Sequence, residues 1–232
     1  MGYSYSDFRE KVTEIVQDTV GKLSTIERDN FIQEAVKIYS RHCPREIVKD
    51  ITGDGTYDYS ITTHLTYWSE EFSSIRKVEY PADEREPVYL DDEEYTILRK
   101  EDGLYLRFLE GTPSATEKIR VTYLGLHILS DSQNTIPEIH EDAVCNLAAS
   151  LYSGALASVY AQTSDSTITA DSVDHTSKSR EYAARARAQK QNYLDQIEIG
   201  EEGGVAPASV IKDIKVDYPG GGDRLTHPKK YR

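Results

Sequence analysis

The sequence predicts an α+β protein: a four-helix-type bundle built from the N-terminal and C-terminal helices, an inserted antiparallel β-domain, and an extended C-terminal arm. Three observations predict it. Apolar residues recur at helical spacing near both ends of the chain, they alternate between about Glu46 and Leu129, and a glycine-rich basic tail follows Gly200. The predicted units are residues 1–45 with 136–200 for the bundle, 46–135 for the β-domain, and 201–232 for the arm.

Composition is that of an ordinary globular chain with a strong negative charge. The 232 residues are 38% hydrophobic, enough to bury a core without a metal or disulfide. The formal charge of −13 disfavours broad contact with nucleic-acid phosphates or anionic lipid. Cys43 and Cys145 lie far apart, so we expect two reduced thiols, and no secretory signal is expected after Met1.

Two helices are predicted before residue 44. The first is expected to begin near Ser6 and to end near Gly21. The second begins at Ser24, where Glu27 three residues later predicts a capping box, and ends before Pro44. Their apolar stripes are Phe8, Val12, Ile15, Val16, Thr19 and Leu23, and Phe31, Ile32, Ala35, Val36, Ile38 and Tyr39.

Alternating residues predict one small antiparallel sheet of five or six strands in the middle of the chain. The motif GDG at residues 53–55 and the motif EDG at residues 101–103 predict turns, the first of them a hairpin. The alternating sets are Tyr57, Tyr59 and Ile61; Leu104, Leu106 and Phe108; and Ile119, Val121 and Tyr123.

Apolar residues recur at helical spacing again after Pro137, a residue suited to the start of a helix. Acidic residues follow it, in the first turns where the helix dipole stabilises negative charge. The uncharged run 143–164 is long enough to cross a bilayer, but its polar residues predict a buried helix. The predicted buried faces are Val144, Leu147, Leu151 and Ala155 here, and Tyr182, Ala186, Tyr193 and Ile197 in the last helix.

No catalytic, cofactor or metal site is predicted. Asp50, Asp54 and Asp58 stand four residues apart, whereas a calcium loop uses a spacing of two and ends in a glutamate. The four carboxylates of residues 91–94 alternate between both sides of the chain, which is typical of a solvated turn. His140 has no second histidine at zinc-helix spacing. We therefore expect a protein that is not an enzyme and carries no cofactor.

Two features could serve assembly. Ser150, Gly154 and Ser158 put small residues on one helical face, which allows close packing either within the bundle or against a neighbouring copy.

The arm alternates apolar and charged residues in "IKDIKVDY" and ends in a basic tip after a glycine hinge, as a partner-binding segment would. A disordered tail without a role is the alternative. The partner-binding residues predicted in the arm are Ile211, Ile214, Val216, Tyr218, Arg224, Leu225, Lys229, Lys230, Tyr231 and Arg232.

Over about residues 5–200 the sequence resembles the head-to-tail adaptor proteins of tailed bacteriophages, also called connector or head-completion proteins. The resemblance rests on "FIQEAVKIYSRHCPRE", on "VEYP" and "IRVTYLGLH", and above all on the stretch from "IPEIHEDAVCNLAASLYSGALASVYA" through "SKSREYAARARAQKQNYLDQI". It carries no short invariant motif.

The resemblance implies a structural virion protein made in the host bacterial cytoplasm. It would form a ring, commonly of twelve copies, docked beneath the portal in the particle neck. The lumen would pass DNA without specific binding, and the lower face would receive the tail or the next neck protein. The arm would grip the portal, and the β-domain would meet tail components.

A second function class stays open, a nucleic-acid-binding accessory protein that uses the last helix. Its basic residues are Lys178, Arg180, Arg185, Arg187 and Lys190. Five basic residues against Glu181 and Asp195 leave a local charge of +3, although a solvated helix face explains the pattern equally well. A hydrolase is a weaker third alternative, because no plausible acid pair is present.

Overall fold

The computed structural model describes residues 2–18, 21–91, 93–162 and 175–198, with the side chains of 175–177 left aside. The described chain confirms the predicted α+β class, with five α-helices and six antiparallel strands. The elements are α1 Tyr5–Val16, α2 Thr25–His42, β1 Arg45–Thr52, β2 Asp58–Ser60, α3 Ile61–His64, β3 Ile75–Glu79, β4 Tyr95–Lys100, β5 Gly103–Phe108, β6 Lys118–Gly125, a 3-10 turn Glu138–His140, α4 Glu141–Gln162 and α5 His175–Gln196.

The first helix begins two residues earlier than the sequence predicted. Ser4 is its cap: the Ser4 hydroxyl accepts a hydrogen bond from the Asp7 amide at 3.3 Å, and the Asp7 carboxylate accepts one from the Ser4 amide at 2.7 Å. The predicted end near Gly21 is also wrong, because Gln17 takes a left-handed conformation with φ 55° and ends α1 after Val16.

The second helix follows its prediction. Ser24 and Glu27 form the expected capping box, with bonds of 3.2 Å and 2.7 Å between each side chain and the other residue's amide. The helix ends at His42, and Cys43 precedes Pro44, whose ring disfavours helical geometry in the residue before it. Ile32, Ala35, Val36 and Tyr39 are buried, as the apolar stripe predicted.

The four long helices share one apolar core, here called the helical core. Helix α4 is buried on more sides than the single predicted face: Cys145, Ala148 and Leu156 are fully covered, whereas the predicted Leu151 is only half-buried. The helical core contains Tyr5, Phe8, Val12, Val16, Ile32, Ala35, Val36, Tyr39, Leu129, Ile136, Ala143, Val144, Cys145, Leu147, Ala148, Ala149, Tyr152, Leu156, Tyr160, Tyr193 and Ile197.

The strands form two three-stranded sheets rather than the single sheet predicted. The orders are β1-β6-β3 and β2-β5-β4, all antiparallel. The turn at 101–103 joins the neighbouring strands β4 and β5. The turn at 53–55 is not a hairpin, because β1 pairs with β6 while β2 pairs with β5 in the other sheet. Ile61 begins the short helix α3 instead of extending β2.

The two sheets enclose a second core, here called the β core. The predicted alternation of Leu104, Leu106 and Phe108 is confirmed, since all three are buried. The β core contains Ile51, Tyr59, Ile61, Leu65, Val78, Leu104, Leu106, Phe108, Ile119, Val121 and Tyr123. Region 45–125, which carries this core, is called the β-unit below.

Glycine is required at position 53 by close backbone contact. A Cβ atom there would lie 2.2 Å from the Ser114 carbonyl oxygen, well inside van der Waals contact. The Gly53 amide donates to the Glu117 carbonyl at 2.9 Å, and the Gly55 amide donates to the Pro113 carbonyl at 2.8 Å. The GDG motif therefore fastens the connection between β1 and β2 to the loop before β6.

The chain that leaves β6 lies against α2, from its middle to its C-terminal end. The His127 amide donates to the Ser40 hydroxyl at 2.9 Å, and the Gln33 side chain donates to the Leu129 carbonyl at 3.0 Å. The His127 ring nitrogens lie 3.0 Å from the Cys43 carbonyl and 2.8 Å from the Thr135 carbonyl. These contacts fix where the β-unit leaves the helices.

Candidate assembly surfaces

Helices α4 and α5 form an antiparallel pair held by small residues and neutral hydrogen bonds. The Ser150 hydroxyl donates to the Ala186 carbonyl at 2.8 Å, and the Ser179 hydroxyl donates to the Ala157 carbonyl at 2.8 Å. One turn further, the rings of Tyr160 and Tyr182 stack with centroids 5.5 Å apart. Of the predicted small-residue stripe, Ser150 is thus used inside the chain.

The other two residues of that stripe stay accessible. Gly154 is half-buried, and no atom of the described residues lies within 4 Å of the position that a Cβ atom would occupy there. Ser158 is exposed, and its hydroxyl donates back to the Gly154 carbonyl at 3.3 Å. Within the described residues, the part of α4 around Gly154 and Ser158 is therefore accessible to another chain. Ser150 is not accessible in this way, because α5 covers it.

Two of the five basic residues of α5 contact neighbouring side chains, and three point to solvent. Lys178 lies over the Tyr160 ring at 5.7 Å, and Arg185 pairs with Glu181 one turn earlier. Arg180, Arg187 and Lys190 are exposed. Within the described residues, no acidic side chain lies in ion-pair distance of these three.

The predicted partner-binding arm, residues 201–232, lies outside the described residues, as does most of the polar connector before α5. The arm's named residues, from Ile211 to Arg232, therefore stay a prediction.

On the outer face of the second sheet, Asp58 lies between two cations. Its carboxylate accepts hydrogen bonds from Arg107 at 2.6 Å and 2.8 Å, and from Lys100 at 2.7 Å. The Asp58 side chain is 13% exposed, and the two hydrogen bonds from Arg107, with the one from Lys100, lower its pKa from 3.8 to about 2. Asp54 instead closes a turn by accepting from Thr56. The spaced aspartates thus serve turns and ion pairs.

A second charged cluster joins the other sheet to the loop after β3. Arg120 donates to Asp50 at 2.8 Å and to Asp83 at 2.6 Å, and it lies 3.5 Å from Glu79. The hydrogen bonds that Arg120 donates to Asp50 and Asp83 raise the pKa of Arg120 further above its ordinary value. One arginine therefore links three acidic residues, which explains part of the acid excess of this region without a metal.

Histidines and tyrosines form a set of neutral contacts that the sequence did not predict. The Tyr39 hydroxyl lies 2.6 Å from the His140 ring, and the Tyr193 hydroxyl lies 2.5 Å from the His42 ring. Burial lowers the pKa of both histidines and of His127. These contacts join residues 101 and 151 positions apart, so no local sequence signal could have revealed them.

No cluster suited to a metal ion occurs among the described residues. In the acidic turn, the Asp91 amide donates a hydrogen bond to the Glu94 carboxylate at 2.8 Å. Cys43 and Cys145 are free thiols, as predicted, and burial raises the pKa of Cys145 to about 12. Neither thiol has the lowered pKa of a nucleophile.

Exposed large apolar side chains in the described residues concentrate on the β-unit. Two lie outside it, Ile26 and Ile139, and seven lie on it: Val48, Tyr57, Tyr67, Val88, Tyr89, Ile97 and Leu109. Within the described residues, the β-unit thus carries more exposed large apolar side chains than the helices do.

One helical stretch of the described residues, 138–162, is long and apolar enough to cross a membrane by length and composition. Of its apolar window, 67% is buried inside the fold, which is typical of the core helix of a soluble protein.

No family model matches the chain, and no curated protein sequence does. Two solved structures are similar over 78% of the chain. One is from the neck of an empty gene transfer agent particle computed with C6 symmetry, with 9% identity, 88% of that chain covered and a TM-score of 0.29. The other is from the virion of a native gene transfer agent particle, with 11% identity, 89% covered and a TM-score of 0.26. TM-scores this low do not establish a shared fold.

Proposed function

We propose that this protein is a structural component of the neck of a phage-like particle. Copies of it form a ring that joins the portal to the tail and passes DNA through its lumen. It acts by shape and contact rather than by chemistry on a substrate. The finished protein resides in the virion and is made in the host bacterial cytoplasm.

The observation that carries the proposal is the helix pair α4 and α5. Residues 136–197 hold the most specific part of the resemblance to the adaptor family, and they build the pair around which the helical core packs. The outer face of α4 at Gly154 and Ser158 is open and lined by small residues. A neighbouring copy can approach such a face closely, as ring closure by a head-to-tail interface requires.

Charge supports a conduit for DNA. A protein of net charge −13 repels phosphates on average, so a lumen lined by it lets the genome slide without being held. The β-unit supports contact with a tail or next neck protein, because its exposed apolar residues offer area for a different chain.

The proposal assigns the arm, residues 201–232, to the portal. We expect that deleting residues 203–232 leaves a folded, soluble chain that no longer binds the portal of its particle. Co-purification of tagged portal with the full and shortened chains measures this, and circular dichroism of both checks the fold. Equal binding by the two chains would contradict the assignment of the arm.

A nucleic-acid-binding role is the second candidate, favoured by the exposed Arg180, Arg187 and Lys190 of α5, which form no ion pair with any described residue. It predicts salt-dependent retention of the chain on duplex DNA, because released counterions drive such binding. The neck proposal predicts that the chain elutes from a DNA column at low salt.

A further inference from the structure

The outer surfaces of α1 and α5 carry opposite charge. On α1, Asp7, Glu10 and Glu14 are exposed and recur three and four residues apart, so they line one side of the helix. On α5, Arg180 and Arg187 are exposed two turns apart with the small, exposed Ala184 between them. The ends of each stripe are seven residues apart along the helix, a rise of about 10 Å.

Four charges of the two stripes have no partner within the described chain. No hydrogen bond or ion pair reaches Glu10 or Glu14 from any described residue, and the same holds for Arg180 and Arg187. Nearby charges of the same helices are occupied, since Lys11 pairs with Asp142 at 3.4 Å and Arg185 pairs with Glu181. The two stripes are therefore available to another molecule.

The stripes cannot neutralise each other inside one chain. Among the described elements, α1 and α5 each pack against α4 and do not form a packed pair with each other. A surface on one side of a molecule and its complement on another side are the requirement for a heterologous, head-to-tail interface. Charge complementarity of this kind steers the encounter and fixes its register.

We propose that the α1 stripe of one copy pairs with the α5 stripe of the next copy. The occupant of each surface is thus a second copy of this chain, and the α1 side that carries Glu10 and Glu14 faces the α5 side that carries Arg180 and Arg187. The pairing deepens the proposed ring and rests on it. It assigns the basic side of α5 to protein rather than to DNA.

Reciprocal charge reversal tests the pairing in the full chain. Glu10→Lys with Glu14→Lys, and Arg180→Glu with Arg187→Glu, each bring like charges together. Either change should raise the concentration needed for self-association by about tenfold or more, because facing like charges repel. All four substitutions together restore opposite charges and should return that concentration to within about threefold of wild type. Sedimentation velocity at low salt measures it.

Matched controls separate this pairing from a change in net charge. Glu84→Lys with Glu86→Lys, and Arg76→Glu with Arg85→Glu, make the same charge changes at exposed positions of the β-unit. They should leave self-association within about twofold of wild type, since single exposed charges act weakly. Circular dichroism and melting curves of all variants check that none has lost its fold.

Four results would overturn the pairing. Two concern the variants: the charge-reversed chains self-associate as well as their controls, or the chain with all four substitutions self-associates as weakly as the chains with two. The other two are that the wild-type chain stays monomeric at low salt, or that it is retained on DNA and Arg180→Glu with Arg187→Glu abolishes this retention. The first two leave the proposed ring intact if wild type still assembles. Failure of the ring itself is read separately, from a wild-type chain that does not assemble with its portal.

Discussion

The helical core and the β-unit are held together by different forces. In the helical core, apolar side chains pack around α4, and its buried polar contacts include the neutral bond from Ser153 to Gln189 at 3.0 Å. Ion pairs of the helices, such as Arg9 with Asp29, lie at partly exposed positions. In the β-unit, two charged clusters centred on Asp58 and Arg120 cross between strands and loops. The comparison teaches that acid should weaken the β-unit more than the helices, because the paired carboxylate of Asp58 is 13% exposed whereas those of Asp29 and Asp142 are 26% and 56% exposed.

The largest expected effect is on the packing of the helical core. Leu156 is fully buried on α4, so Leu156→Ala removes apolar contact and leaves a cavity. It should lower the free energy of unfolding by about 2–5 kcal/mol. Urea unfolding followed by circular dichroism measures the loss. Ile139→Ala, at an 81% exposed position, is the control and should stay within about 0.5 kcal/mol of wild type. Equal effects would mean that α4 is not central.

In the β-unit, the next largest effect should come from a single methyl group. Gly53→Ala puts a Cβ atom 2.2 Å from the Ser114 carbonyl oxygen, so the backbone must move. We expect a loss of about 1–3 kcal/mol in thermal or urea unfolding. Ser114→Ala is the control, because it leaves the backbone at the contact unchanged and should be nearly neutral. Gly55→Ala is unsuitable, because the φ of 81° at Gly55 would strain any residue that has a Cβ atom. A neutral Gly53→Ala would contradict the close contact.

The ion pairs of Asp58 should show themselves in pH dependence. Its pKa is lowered from 3.8 to about 2, so the pairing stabilises the fold above the unfolded pKa and is lost as pH falls through the folded one. At neutral pH, Asp58→Asn should cost about 1–2 kcal/mol. The difference from wild type should shrink as pH falls from 4 toward about 2. A difference independent of pH would contradict the assigned role. Unfolding curves at several pH values measure it.

The smallest expected effect has the opposite sign. Gly154→Ala replaces a helical glycine where a Cβ atom meets no neighbour, so it should stabilise the chain by about 0.5–1 kcal/mol. Gly154→Trp should also fold, yet it should block assembly if a second copy packs on this face of α4. Sedimentation of both variants beside melting curves separates the two effects. Normal assembly by Gly154→Trp would exclude this face as an interface.

The sequence was most informative where structure is local. The capping box of Ser24 and Glu27, the turn at 101–103 and the alternation of Leu104, Leu106 and Phe108 each involve residues close along the chain. The start of α1 was misplaced because Ser4 and Ser6 are both plausible caps, and the choice depends on the reach of Asp7.

Long-range pairing was not predictable from the pattern. Strand β1 pairs with β6, whose residues lie about seventy positions later, and that pairing separates β1 from β2. The local pattern therefore predicts a hairpin at the GDG turn, whereas this turn joins two sheets. The small residues of α4 present the same difficulty, because they predict close packing without saying against which chain. The tertiary structure places Ser150 against α5, whereas no described residue packs on Gly154.

The central claim is that the protein works as a closed ring docked on a portal. Mass measurement of the intact complex tests it most directly, with the full chain analysed alone and after mixing with the portal protein of its particle. The account predicts a single discrete mass in which many copies of the chain accompany the portal. A chain that remains in single copies in both samples, with the portal mass unchanged, would contradict it.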